Sequence, residues 1–226
     1  MMRLIAIVMG AVGGMVTTSE GRRLLENAYV GAPFVILRNH LRFYLDREDP
    51  SECIAQLRRT GLRFRRIDAS RFPPDCPIAN PVAIWLPLNE KRFLSCQLAL
   101  SLHRYFQESL QDIALRDLGQ RVRKLYDLGV RSCRPMTGHR FLLSEHAYAN
   151  AIDVSAFELA DGELIEVEEH WNEGSARERF LRDAARAACE VFHMVITPDE
   201  DEGHGNHLHF DMGRSRAVCS SIPPFR

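Results

Sequence analysis

Lysine is nearly missing from this sequence: of 29 basic residues, all but Lys91 and Lys124 are arginine. We read that skew as genomic composition before function. An excess of one charge sign is lacking too. The 29 basic residues face 30 acidic ones, a formal charge of −1, so the electrostatic footprint of a dedicated nucleic-acid binder is absent. No internal repeat or low-complexity tract occurs. A composition of 46% hydrophobic and 26% charged residues excludes disordered, collagen-like and coiled-coil chains. A length of 226 residues favours one domain with accessories over two.

The apolar run Leu4–Val16 is shorter than the ~20 residues a spanning helix needs. It follows Arg3 and precedes Thr17-Thr18-Ser19-Glu20, the layout of a signal peptide. Gly10, Gly13 and Gly14 argue against a buried core helix, and no A-x-A cleavage site is present. Residues 1–20 are therefore expected to be a signal peptide or a short membrane anchor, and residues 21–48 a tether. The expected location is periplasmic or otherwise extracytoplasmic.

No C-x-x-C pair occurs among Cys53, Cys76, Cys96, Cys133, Cys189 and Cys219, which disfavours a zinc ribbon or a thioredoxin-type site. Structural disulfides in an oxidising compartment fit better. Proximity along the chain suggests the pairs 53–76, 96–133 and 189–219.

Asp49-Pro50-Ser51-Glu52 reads as a helix start, with Gly61 as its stop. The run Arg58, Arg59, Arg63, Arg65, Arg66 and Arg71 reads as a solvated face, or else as a contact for an anionic wall polymer or lipid. Pro81–Pro87 reads as a short strand. From Ser95 to Leu128 apolar residues recur at helical spacing, including Val122 and Leu125, with a break near Gly119. Ser175-Ala-Arg-Glu178 is a capping box opening a helix through Phe192. Alternation on both sides of Asp161-Gly162 predicts a hairpin, and Leu208–Met212 a further strand. The expected class is α+β: a small antiparallel sheet carrying the site, packed with helices and stapled by disulfides.

Three of nine histidines fall within His204-Gly-Asn-His207-Leu-His209. On a strand, His207 and His209 project from one face. Upstream, His146 lies seven residues before Asp153. A catalytic zinc takes three protein ligands, N or O, and leaves one position open. His146, Asp153 and one histidine of the pair would supply that set. His40, His103, His139, His170 and His193 read as surface or core residues.

Ser144-Glu-His-Ala-Tyr-Ala-Asn-Ala-Ile-Asp153 resembles the S-x-H-x-x-G-x-A-x-D motif of zinc peptidases that include D-alanyl-D-alanine carboxypeptidases and the penicillin-insensitive murein endopeptidase. His204–His209 resembles the second motif of the murein endopeptidase branch. More extensively, Glu52–Cys219 resembles the bacterial extensin-like C-terminal domain family, through Cys76-Pro-Ile-Ala-Asn-Pro, Cys133-Arg134-Pro, Ala160-Asp-Gly, Trp171, Ala187-Ala-Cys189 and His207-Leu-His-Phe-Asp211. These resemblances imply a Zn2+ site of His146, Asp153 and His209, with Arg134 binding substrate or a developing oxyanion. Ser144, His204 and Asn206 would stand behind the ligands or against substrate.

Two positions depart from the peptidase pattern. Ala149 replaces the motif glycine, which strains the loop if that position needs positive φ. Asn206 replaces the glutamate that serves the carboxypeptidase branch as base, three residues before the last ligand. His207 is the natural substitute. The expected function is a zinc-dependent hydrolase of peptide cross-links in peptidoglycan or a related cell-wall polymer. The rivals are a non-catalytic wall-binding or structural module with a structural metal, and metal storage beside Asp199–Glu202.

Overall fold

Pro50 opens α1 (Pro50–Arg59), and Gly61 follows it at a φ of 74°, the left-handed conformation that stops a helix. The computed structural model describes residues 50–138, 142–200 and 202–213. The expected leader and tether, with His40, His139 and Cys219, lie outside the described residues. Among the described residues no helix is long and apolar enough to cross a membrane.

β1 (Phe64–Arg66), β2 (Val82–Ile84) and β3 (Phe93–Leu94) pair antiparallel in that order. The expected strand at Pro81–Pro87 is β2. A continuous helical run follows: α2 (Cys96–Arg104), a π-helical turn (Tyr105–Ser109) and α3 (Leu110–Leu118). Ser95 Oγ caps its start by accepting from Leu98 N, and Gly119 at φ 71° closes it.

The helical pattern expected to continue to Leu128 is corrected here, because Val122 and Leu125 belong to strand β4 (Val122–Gly129). Strict alternation would put two positions three apart on opposite faces. A register shift between Val122 and Lys124 inserts the extra residue that lets both point into the core. A bulged strand thus imitates helical spacing.

β5 (Ala151–Leu159) and β6 (Leu164–Glu166) form the expected hairpin, turning through Gly162 at φ 96°. α4 (Val167–His170), α5 (Ala176–Ala188), β7 (Met194–Ile196) and β8 (Leu208–Asp211) complete the domain. The second sheet runs β4-β5-β8-β7, with β6 also on β5, and every pairing is antiparallel. Ser175 Oγ caps α5 through Arg177 N, while Glu178 reaches back to Gly174 N rather than to Ser175. α5 stops at Ala188, short of the expected Phe192. The architecture is α+β with small antiparallel sheets.

The helices cover one face of the second sheet. Phe210 of β8 sits 5.4 Å from the Tyr105 ring and 4.9 Å from Phe192, centroid to centroid, and Tyr105 Oη donates to Ala184 O at 3.1 Å. Each such aromatic contributes roughly 2–3 kcal/mol by burial. Because strand side chains alternate, committing Ile152, Val154, Leu208 and Phe210 to the core turns Asp153 and His209 to the other face.

Two bridges differ from those suggested by chain proximity: Cys53 pairs with Cys96, and Cys76 with Cys133. The fold decides this, since α1 lies against the first turn of α2 and the Cys76 loop reaches the segment after β4. Each closes a loop worth about 4 kcal/mol of unfolded-chain entropy. Cys189 is also disulfide-bonded.

Candidate metal centre

Three separate elements bring the predicted ligands together. Ser144 Oγ accepts from His146 N and starts the short 3-10 turn Glu145–Tyr148 that carries His146. Ala149 ends that turn at φ 49° and ψ 38°. The positive φ expected to strain a non-glycine residue is therefore present, at an order of 1–2 kcal/mol. Asn150 then locks the exit: its Nδ2 donates to Glu145 at 2.8 Å, its Oδ1 accepts from Ser95 Oγ at 2.7 Å, and its carbonyl accepts from Met212 N at 3.0 Å.

Asp153 on β5 pairs in register with His209 on β8. Asp153 Oδ1 lies 2.8 Å from His209 Nδ1 and 3.2 Å from His146 Nε2, and those two nitrogens are 3.2 Å apart. His146 and His209 are buried, and Asp153 half-buried.

The outer nitrogens of both imidazoles are already committed. His146 Nδ1 donates to Val130 O at 3.0 Å, and His209 Nε2 donates to Asp211 Oδ2 at 3.1 Å. Each bond fixes the tautomer, so His146 Nε2 and His209 Nδ1 turn lone pairs toward the Asp153 carboxylate. Two lone pairs and an anionic oxygen converging in a buried space repel one another unless a cation sits among them. The residues therefore fit a divalent metal, and two imidazoles with one carboxylate is a donor set suited to zinc.

Without metal, a proton takes that place. Burial works against charge on His209, but hydrogen bonds to Asp153 and Asp211 outweigh it and raise its pKa to about 9. Burial likewise opposes ionisation of Asp153, and the bonds from His146 and His209 overturn it, holding the carboxyl well below the usual range.

His207 stands beside the ligands rather than among them. Its Nε2 is 3.5 Å from Asp153 Oδ1, and its Nδ1 donates to Asn206 Oδ1 at 2.8 Å. Burial pushes its pKa down, with Asp153 opposing, so it is neutral at pH 7 with a lone pair on Nε2. The His204 ring is 5.0 Å from His207 and 5.9 Å from His209.

Arg134 is exposed and, among the described residues, carries no ion pair; its guanidinium donates to the adjoining Pro135 carbonyl at 3.4 Å. Its segment is nonetheless tied to the His146 turn, through Ser132 N to His146 O and Ser144 N to Arg134 O, both at 3.1 Å. Asp199 is engaged by Trp171 Nε1 at 2.8 Å and Arg182 at 2.7 Å, a structural use that the sequence reading did not foresee.

Asp211 was not singled out for a role, although the alternation that groups His207 with His209 also includes it. Gly213 N donates to its Oδ1, and buried His193, treated as a bland residue, fixes Gly213 by donating to its carbonyl, both at 2.8 Å. A Cβ on Gly213 would come within 2.7 Å of the Glu145 side chain, so a larger residue here would have to displace that carboxylate from its place beside Asn150. Asn150 and the Val130 carbonyl carried no readable signal, since their roles depend on chain crossings.

The extensin-like protein C-terminus family model matches residues 51–220. The chain belongs to that family. The match contains α1 from its second residue, both sheets and every residue of the His/Asp centre. No curated protein and no solved structure matches the extensin-like chain.

Proposed function

We propose that this extensin-like domain is a zinc-dependent hydrolase of peptide cross-links in the bacterial cell wall. The observation that carries the reading is the pairing of a three-donor metal centre with a neutral histidine beside it that is not a ligand. The motif resemblance to murein endopeptidases and carboxypeptidases points the same way.

Zinc held by His146, Asp153 and His209 would polarise a carbonyl and acidify water. Each residue around it has a separate task. His207 Nε2 offers the lone pair that removes a proton from the attacking water, and Asn206 Oδ1 orients that ring from behind. This arrangement replaces the missing glutamate, since an amide cannot take the proton itself. Asp211 and Val130 O hold the two imidazoles with their inner nitrogens facing Asp153. Arg134, exposed and without an acidic partner among the described residues, is suited to a substrate carboxylate or the developing oxyanion.

Disulfides among the described residues favour an extracytoplasmic setting, where wall polymer is available. The test is direct: zinc-loaded protein is incubated with purified peptidoglycan and the soluble fraction is read by mass spectrometry. Release of peptide fragments that stops on chelation supports the reading. Intact peptidoglycan across several cross-link types, with zinc demonstrably bound, leaves a non-catalytic wall module instead.

A further inference from the structure

A second surface remains, away from the metal centre and built on the smaller sheet. Val82 faces Leu94 in the register, and Ile84 faces Phe64, on the core side of that sheet. Alternation sends Arg65, Ala83 and Phe93, one aligned row, to the other side, with Trp85 and Arg63 joined by a backbone bond next to it. Phe93 is 43% exposed and Trp85 40%.

Aromatic rings hold cations on this face. The Arg63 guanidinium lies 4.8 Å from the Trp85 centroid and the Lys91 ammonium 4.7 Å. Arg131 lies 5.5 Å from the Phe72 ring, which meets Phe93 edge-on at 6.5 Å. Arg63, Arg65, Lys91 and Arg131 are all exposed, and among the described residues none forms an ion pair with an acidic group. The nearby acids are Asp68, which caps its own turn, Asp75, and Glu90, which pairs with Arg92. On a chain of net charge −1, this is a local concentration of unpaired positive charge. Cations resting on rings lose little freedom when an anion binds.

We propose that this face docks the peptidoglycan of the wall, with Arg63, Arg65, Lys91 and Arg131 pairing the free carboxylates of its peptide stems and Phe93 meeting the sugar faces of the glycan that carries them. Charge complementarity carries the proposal, and the choice of polymer rests on the wall-hydrolase reading above. Stacked nucleobases need free ring faces, and those of Trp85 are taken up by charge. An acidic peptide would add to a strand edge, whereas these cations lie on the sheet face. The surface also leads toward the centre, because Arg131 directly follows Val130, whose carbonyl holds His146.

The test is co-sedimentation of the whole protein with purified peptidoglycan, which needs no hydrolysis and so fails or succeeds apart from the catalytic reading. Binding is expected to weaken by roughly tenfold in Arg63→Gln/Arg65→Gln/Lys91→Gln, since three exposed ion pairs are lost together. It is expected to weaken similarly when the wall carboxylates are amidated, and to fall with added salt. Arg121→Gln, an exposed arginine elsewhere, should bind as wild type. Equal binding by the triple variant, indifference to amidation, or tighter binding to anionic lipid vesicles or single-stranded DNA overturns the proposal. Retained circular dichroism and unreactive thiols show that the variant is folded.

Discussion

Asp153 and His209 occupy directly opposed positions on β5 and β8, and their Oδ1 and Nδ1 atoms are 2.8 Å apart. Two candidate metal ligands are thereby brought together by strand register. Slipping β8 by one residue would bury His209 in the aromatic core and expose Phe210. Only His146 reaches the centre from outside the sheet, on a turn whose geometry depends on Ser144, Ala149 and Asn150.

His146→Ala, Asp153→Ala and His209→Ala are each expected to abolish stoichiometric zinc binding, because three protein donors leave no spare. Elemental analysis after dialysis reads the result. Full occupancy in any one of the variants removes that residue from the ligand set.

Asp211→Asn should weaken zinc affinity by about 10–100-fold while the fold persists, the usual worth of a group that orients a metal-binding imidazole. Competition with a chelating dye measures it. An unchanged affinity would show that the His209 ring needs no orientation from behind.

Zinc affinity should rise with pH through the neutral range and level off near pH 9, because the metal displaces the His209 proton. Calorimetry at pH 7.5 in buffers of different ionisation heat should find close to one proton released per zinc. The metal-free fold responds in the opposite sense. A pKa raised from 6.5 to about 9 contributes stability that is full below 6.5 and lost as pH climbs through 9. Asp153, whose pKa is lowered, contributes stability above its ordinary 3.8 that disappears as pH falls further.

His207→Ala should keep zinc and fold but lower turnover of peptidoglycan by roughly 10²–10⁴-fold, the range of a positioned base. Asn206→Glu restores a carboxylate beside the centre and should recover part of that loss in the double variant. If His207→Ala turns over at the wild-type rate, the base lies elsewhere.

Ala149→Gly should change stability by less than about 1 kcal/mol, since relief of the left-handed strain is offset by the lost burial of a methyl group. Ala149→Val should lose more than about 2 kcal/mol, as a β-branched residue at positive φ in a closed core. Thermal melts of the metal-free protein separate the two.

The sequence by itself determined the parts of this protein that depend on neighbours along the chain. Capping residues announced α1 and α5, Asp161-Gly162 announced the hairpin, and strand alternation put His207 and His209 on one face. The spacing pointed to His146, Asp153 and one histidine of the pair, the resemblance implied His209, and these three converge as a possible metal triad; the shift to glycine-like geometry at Ala149 was legible from the departure alone. Tertiary structure decided what depends on distant segments meeting. Disulfide partners followed helix packing and loop crossing rather than chain proximity, and a bulge turned apparent helical spacing at Val122 and Leu125 into a strand. Register brought Asp153 opposite His209, the Val130 carbonyl came to aim the His146 ring, and the crossings near Asn150 and Gly213 braced the His146 turn and Asp211. The reason is one of range. Capping and alternation act over a few residues and leave a pattern in the sequence, as His209 and Asp211 do two residues apart, whereas the outer hydrogen bond of His146 reaches Val130, 16 residues away, where local spacing carries no record.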